Sequence, residues 1–138
     1  MDTIRKVEYF SIVVPDTPGQ TFKVLQTLVG AGVNLIACNG FPRGGKAQID
    51  VVPDDVEMFN SATKKAGLDF ESQKSGFLIQ GEDRPGALAG HLNKLATADI
   101  NVTAIEALSP GGGRWAAIIW VKSADLDRAG HALQARAK

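Results

Sequence analysis

The sequence repeats itself at a constant spacing, and this internal repeat limits the folds that the chain can adopt. Asp16-Thr17-Pro18-Gly19 returns as Asp83-Arg84-Pro85-Gly86, an offset of 67 residues (83 − 16). Each copy follows a short apolar run and precedes apolar residues at helical spacing. The same offset relates Phe10 to Phe77, Ile12 to Ile79, Leu25 to Leu92, and Asn34 to Asn101. A repeat of this length indicates two copies of one structural unit.

The two copies predict two units, residues 1–74 and residues 75–138. Units of about 65 to 70 residues seldom build a sufficient core alone, so we expect them to pack together. In each unit the apolar patterns and turn residues predict a βαββαβ order, the split βαβ arrangement of ferredoxin-like type. The predicted fold class is α+β, with antiparallel sheets that carry helices on one face. The second unit ends after a helix on Leu126, Ala129 and Leu133, which leaves its last strand missing.

The third strand of the second unit, residues 114–121, is apolar on both faces. Trp115, Ala117 and Ile119 share one face, and Ala116, Ile118 and Trp120 share the other. A sheet with helices on one side needs a single apolar face, so we expect another sheet, from the first unit or from a second chain, to cover the other. Together with the unpaired edge left by the missing strand, this predicts a homodimer or a higher oligomer.

The composition is that of an ordinary globular protein and argues against several classes of function. The net charge is zero, with 15 Lys and Arg against 15 Asp and Glu, so the basic surface of a nucleic-acid binder is not expected. No apolar run approaches the length of a membrane span, and no signal-peptide pattern opens the sequence. One cysteine, Cys38, fits a reducing cytoplasm, and its apolar neighbours predict a small buried side chain.

The two Pro-Gly corners, residues 16–19 and 83–86, have the chemistry to hold a small zwitterion. Proline has its φ preset for a first helical turn, and glycine lets another molecule approach the backbone closely. The first amides of the following helix lack intrahelical partners and lie at the positive end of its dipole. A ligand carboxylate would bind these amides, and its ammonium group would lie near Asp83 or Asp16.

These corners, in their strand-turn-helix context, resemble the motif of ACT domains, a family of regulatory modules that bind amino acids or similar small effectors. The resemblance extends over nearly the whole chain, and it implies a site formed by the corner of one unit and the start of the second strand of its neighbour. The residues it places there are Asp16, Pro18, Gly19, Gln20 and Asn34 in the first unit, and Asp83, Pro85, Gly86, Ala87 and Asn101 in the second. A histidine sometimes found two positions before the acid is replaced here by Val14 and Gly81.

Simpler structural explanations apply to the same residues. Asp16 and Asp83 are expected to cap their helices, whether or not they also contact a ligand. Asn34 and Asn101 are suited to the turn that leads into a strand, because asparagine tolerates left-handed backbone angles. Pro-Gly sequences also begin many helices that bind nothing.

No catalytic motif, cofactor motif or metal-ligand spacing is present, and His91 and His131 are interpreted as solvated helix positions. The sequence therefore favours a non-catalytic sensor that binds an amino acid and regulates a partner enzyme in trans. The alternative is a small enzyme on a ferredoxin-like scaffold, because a fold implies no function. RNA binding on the open sheet is disfavoured by the zero net charge and by the lack of an aromatic RNA-binding run.

Overall fold

The computed structural model describes residues 1–71 and 74–136. The elements follow in this order: β1 (Thr3–Pro15), α1 (Gln20–Gly30), β2 (Leu35–Arg43), β3 (Lys46–Pro53), α2 (Val56–Ala66), β4 (Lys74–Glu82), α3 (Ala87–Thr97), β5 (Val102–Gly111), β6 (Arg114–Val121), a short 3-10 turn (Ser123–Asp125) and α4 (Leu126–Leu133). Among the described residues this order repeats βαββα twice, which is the predicted βαββαβ pattern without a separate last strand in either half, and it confirms the α+β fold class. Across the described residues, none of the helices has the length and apolar character needed to cross a membrane.

The chain divides into two compact units, one of which is built from two separate segments of the sequence. Glu8–Lys74 forms the N-terminal unit, and Ser75–Lys138 together with Met1–Val7 forms the C-terminal unit. Residues 1–7, which the repeat places in the first unit, group with the second because Ile4 is buried in its core and the Arg136 amide donates to the Ile4 carbonyl at 2.8 Å. Periodicity could not detect this, since the segment has no counterpart in the repeat.

In the N-terminal unit β3 lies between β2 and β1, and both pairings are antiparallel. Side chains of β3 alternate between the two faces of the sheet, and Ile49 and Val51 are fully buried in the core with residues of α1 and α2. On the other face Asp50 accepts hydrogen bonds from Ser11 at 2.5 Å and from Gln48 at 2.9 Å. The sheet therefore presents one apolar face to its helices and one polar face.

The βαββαβ order predicted for the first unit places a fourth strand at residues 69–74, a segment that is described only in part, because residues 72 and 73 lie outside the described ranges. Residues 69–71 are not in a strand, although the Glu71 amide donates to the Ser11 carbonyl of β1 at 2.7 Å. Cys38, expected to be buried, is exposed. That prediction was wrong because β2 is the outer strand of its unit and much of it is accessible to solvent.

In the C-terminal unit β6 lies between β4 and β5, again in antiparallel pairs, and β4 lies next to β1. The position left for a missing last strand is thus supplied by the beginning of β1, with Arg5 also bridged to Arg136. The core lies between one face of the sheet and helices α3 and α4. Its fully buried residues include Ile79, Leu95, Ile119, Ala129 and Leu133.

Both faces of β6 are buried, as its sequence indicated. Trp115, Ala117 and Ile119 belong to the core of the C-terminal unit, and the opposite residues Ile118 and Trp120 are 4% and 7% exposed. By contrast, every residue of β5 after Val102 is exposed.

Candidate functional site

The two Pro-Gly corners have the same backbone geometry. Gly19 and Gly86 immediately precede α1 and α3, with φ of 88° and 82°, in the left-handed region that favours glycine. A Cβ built on either glycine would meet no heavy atom within 4 Å, so the space beside each corner is open. Pro85 was predicted to begin the helix but lies two residues before it, since α3 begins at Ala87. The conformation and the open space both allow a close approach to the backbone.

Neither corner aspartate caps its helix, contrary to the sequence-based expectation. Asp16 and Asp83 stand four residues before the first helical residue, and no side-chain cap bond forms at α1 or α3. An N-cap must directly precede the helix for its side chain to reach the second or third amide. Asp55 meets this condition at α2, where it accepts a hydrogen bond from the Met58 amide at 3.1 Å. The two corner carboxylates are therefore available for another role.

The first turn of α3 leaves backbone donors open at the C-terminal corner. The Ala87 amide donates to the Arg84 carbonyl at 3.3 Å, and the Gly90 amide donates to the Gly86 carbonyl at 3.2 Å. Within the described ranges, the amides of Leu88 and Ala89 between them have no hydrogen-bond acceptor. These donors lie at the positive end of the helix dipole, where carboxylates and phosphates are stabilised.

A cavity of about 520 Å³ lies against this corner, and we call it the corner cavity. Its polar lining comes from Asp83, Arg84 and Ser109. The remaining lining residues are small or apolar: Gly86, Ala87, Leu88, Ala89, Leu92, Ala107, Leu108 and Trp115. Its volume falls within the range of small-molecule sites, as does its mixture of apolar walls with a few polar groups. The structure thus brings Asp83, Gly86 and Ala87 together at one cavity.

Other predicted residues are exposed but do not line the corner cavity. Asn101 precedes β5, and the lining residue Ala107 lies six residues further along that strand. At the rise of an extended chain, this places Asn101 about 20 Å from the cavity within its own unit. Pro85 is exposed in the turn. In the N-terminal unit Asp16, Pro18, Gly19 and Asn34 are exposed, and Gln20 is half-buried.

Sequence reasoning missed a buried polar group beside the C-terminal corner, which we call the Asp2 cluster: Asp2, Arg84, His91 and Trp115. Arg84 donates from Nη1 to Oδ1 of Asp2 at 3.1 Å and from Nη2 to Oδ2 at 2.9 Å. His91 Nε2 lies 2.7 Å from Oδ2, and Trp115 Nε1 donates to Oδ1 at 3.3 Å. The Asp2 side chain is only 5% exposed. Four donor atoms on three residues thus surround one carboxylate.

The Asp2 cluster explains why residue 81 is glycine. A Cβ at this position would collide with the Asp2 carboxylate and come within 3.1 Å of its Cα. The space that a side chain at position 81 would occupy is therefore filled by Asp2.

His91 is buried at 7% exposure, so its interpretation as a solvated position was wrong, whereas His131 is exposed. One signal was present in the sequence. His91 falls between Leu88, Leu92 and Leu95 at helical spacing, which places it on the apolar face of α3. Its partner Asp2 is 89 residues away (91 − 2), too distant for any local pattern to reveal.

The surroundings of Asp2 favour its charged form. The hydrogen bond from Arg84 holds the pKa of Asp2 well below its usual range, and bonds from His91 and Trp115 add to this effect. Burial acts in the opposite direction but does not prevail. Asp2 in turn raises the pKa of Arg84, mainly through the same hydrogen bond. Asp2 is thus a charged carboxylate, and each of its two oxygens has two hydrogen-bond partners.

A second cavity, of about 530 Å³, is also lined by Arg84, and we call it the Asp2 cavity. Asp2, Arg84 and His91 line it, together with Lys94 of α3, Arg136 and residues of the Met1–Ile4 segment. Arg84 therefore borders both cavities. In the described ranges, no group of three or more His, Cys, Asp or Glu side chains has an arrangement that would hold a metal ion.

No family model matches the sequence, and no curated protein matches it significantly. Solved structures do match. A protein from Bacteroides thetaiotaomicron aligns with a TM-score of 0.81 at 17% identity, over 95% of this chain and 88% of that one. The ligand-free regulatory subunit of aspartate kinase from Thermus thermophilus aligns with a TM-score of 0.64 at 19% identity, over 96% and 94%. The chain has the ACT-type fold.

The ACT-type fold also occurs inside larger enzymes. Aspartate kinase from Clostridium acetobutylicum aligns with a TM-score of 0.54 at 14% identity, over 96% of this chain but only 33% of the kinase. In the Thermus thermophilus match, by contrast, nearly the whole of a regulatory subunit is covered.

Proposed function

We propose that this chain is a non-catalytic regulatory protein that binds an amino acid, or a similar small effector, at its Pro-Gly corners. The observation that carries the proposal is the corner cavity, which joins Asp83 and the first turn of α3 to an apolar wall. The ACT-type fold, shared with regulatory subunits of aspartate kinase, supports the same function.

The chemistry of the corner suits the two charged groups of an amino acid. The open amides of Leu88 and Ala89 would bind the ligand carboxylate, with the helix dipole adding to the attraction. The exposed Asp83 carboxylate would bind the ammonium group, and its backbone is fixed by a bond from its amide to the Gly113 carbonyl at 2.9 Å. Gly86 and Ala87 leave room for this approach. In the first unit Asp16, Pro18, Gly19 and Gln20 would take the corresponding roles.

A neighbouring module is part of this proposal. Asn101 lies about 20 Å from the corner of its own unit along β5, so it would serve a corner of a different module, and Asn34 would do the same. The edge strand β5 is exposed and carries Ile105 and Leu108 at 44% and 68% exposure. Exposed apolar edge strands are normally covered. We therefore propose a homodimer or a higher oligomer in the cytoplasm, with a partner enzyme regulated in trans.

Ligand binding is tested by thermal unfolding in the presence of each amino acid. A ligand that binds only the native state raises the melting temperature, by an amount set by its concentration and dissociation constant. Asp83→Asn is expected to weaken binding of the responding amino acid by about tenfold, as for loss of a charged hydrogen-bond partner. Asp69→Asn, which removes an exposed carboxylate that does not line the corner cavity, is the matched control and is expected to bind normally.

Two results would contradict the proposal. If no amino acid raises the melting temperature, the sensor function is refuted. If an amino acid does so but Asp83→Asn and Asp69→Asn bind it equally well, the ligand lies somewhere other than the C-terminal corner.

A further inference from the structure

The Asp2 carboxylate is held as a bound ligand would be. Both of its oxygens accept two contacts each, including the paired bonds from the Arg84 guanidinium, a geometry that is specific for carboxylates. The collision between a Cβ at residue 81 and Asp2 shows that the carboxylate fills its space closely. The three donor residues therefore form a carboxylate-binding site that the chain itself occupies.

This occupancy determines what Arg84 offers to the corner cavity. Both terminal nitrogens of the guanidinium bond to Asp2, and Nη1 also donates to the Glu82 carbonyl at 2.8 Å. Among the described residues that line the corner cavity, Arg84 is the single cationic side chain. With Arg84 engaged, the cavity offers the Asp83 carboxylate, the helix amides and an apolar wall. It offers no uncompensated positive side chain to a second carboxylate.

We infer that Asp2 is a positioning residue that sets the specificity of the corner: by holding Arg84, it restricts the ligand to amino acids with apolar side chains. The inference rests on the proposed function. A leucine side chain would pack against Leu92, Leu108 and Trp115 without losing hydrogen bonds. A glutamate side chain would bring a negative charge against an apolar wall near Asp83. The Arg84 guanidinium, which could pair with that charge, is already bound to Asp2.

The experiment compares leucine with glutamate by isothermal titration calorimetry, using the whole chain and its Asp2→Ala variant. The wild type is expected to bind leucine at least about tenfold more tightly than glutamate. In Asp2→Ala the freed guanidinium is expected to reduce this leucine-to-glutamate preference by about tenfold or more. Asp2→Asn keeps the side-chain volume and removes the charge, so it is the second variant if the alanine variant does not fold. It is expected to change the preference in the same direction.

Chemical rescue separates positioning from a general structural effect. Sodium formate is small enough to enter the site that Asp2→Ala vacates and would bind Arg84 and His91 in place of the missing carboxylate. It is expected to restore the preference for leucine in Asp2→Ala, whereas sodium chloride at equal ionic strength is not. Adding Arg84→Gln to Asp2→Ala is expected to abolish the gain in glutamate binding.

The outcomes distinguish a failure of this inference from a failure of the proposed function. If the wild type prefers leucine and Asp2→Ala shows the same preference, this inference fails while the proposed function stands. If the wild type prefers glutamate, or if formate and chloride act alike, the inference also fails. If neither protein binds any amino acid, the proposed function is refuted, and the inference with it.

Discussion

The close contact between Gly81 and Asp2 predicts that substitutions at these two positions will not be additive. In the wild type, an alanine at position 81 must expel the Asp2 carboxylate. His91 Nε2 and Trp115 Nε1 then lose their acceptor in a buried setting. Leaving buried polar groups unsatisfied costs about 1–3 kcal/mol. Arg84 is half exposed and can turn to water, so its ion pair adds little.

The same substitution is expected to cost much less once Asp2 is removed. In an Asp2→Ala background the overlap with the carboxylate is absent, and only the 3.1 Å approach to the Cα of residue 2 remains. This residual crowding is offset in part because alanine restricts the unfolded chain more than glycine does, by about 0.4–1 kcal/mol. The coupling free energy between the two positions is therefore expected to be about 2 kcal/mol, within the range for residues in direct contact.

The coupling free energy is measured by a double-mutant cycle at positions 2 and 81, with tryptophan fluorescence in urea as the assay of unfolding. The protein has two tryptophans, Trp115 and Trp120, and both lie in β6, so their emission reports unfolding of the C-terminal unit. Gly76→Ala is the matched control in the same strand. Its Cβ would lie 2.8 Å from the Ile119 carbonyl, so its cost should be the same with and without Asp2. Equal costs for Gly81→Ala in the two backgrounds would refute the argument.

Because the pKa of Asp2 is lowered, its contribution to stability is expected to be complete above about pH 4 and to decline as the pH falls further. The ionisable groups that face Asp2 are Arg84, His91, Lys94 and Arg136. When urea midpoints are compared between pH 7 and pH 2.5, Asp2→Asn should lack the part of the loss that comes from Asp2. Gly86→Ala is expected to cost about 1–2 kcal/mol in urea through its φ of 82° alone, and an unchanged midpoint would contradict the described corner. Asp55→Ala removes the cap of α2 and is expected to cost about 0.5–2 kcal/mol by circular dichroism, whereas Asp16→Ala, which removes no cap, should cost much less.

Much of the fold could be predicted from the sequence because the repeat and the apolar patterns are local signals. The 67-residue offset indicated two similar units, the alternation in β3 identified its buried face, and the apolar residues on both faces of β6 indicated that both of its faces are covered. Helix starts were less accurate, since proline and glycine mark a corner without fixing the residue at which the helix begins. Asp16 and Asp83 were therefore interpreted as caps, although Gly19 and Gly86 occupy the positions directly before the helices.

The candidate site was predictable only where it depends on the repeat. Asp83, Gly86 and Ala87 were found because their motif occurs twice, and they line one cavity. The Asp2 cluster was missed because its members come from four separate stretches of the chain and have no counterpart in the first unit. A carboxylate at residue 2 acquires its partners only when β1 is placed beside β4, and no local pattern encodes that pairing.

The assignment of Met1–Val7 to the C-terminal unit has a consequence for synthesis on the ribosome. All of Glu8–Lys74 emerges before Ser75–Lys138, so the N-terminal unit has its whole sequence available while most of the other unit is still unsynthesised. The first seven residues must then wait for β4, and for Arg136 near the far end of the chain, before they find their hydrogen-bond partners. One unit is thus nested within the other along the polypeptide. A fusion partner placed before Met1 would therefore be attached to the C-terminal unit, although it precedes the N-terminal unit in the sequence.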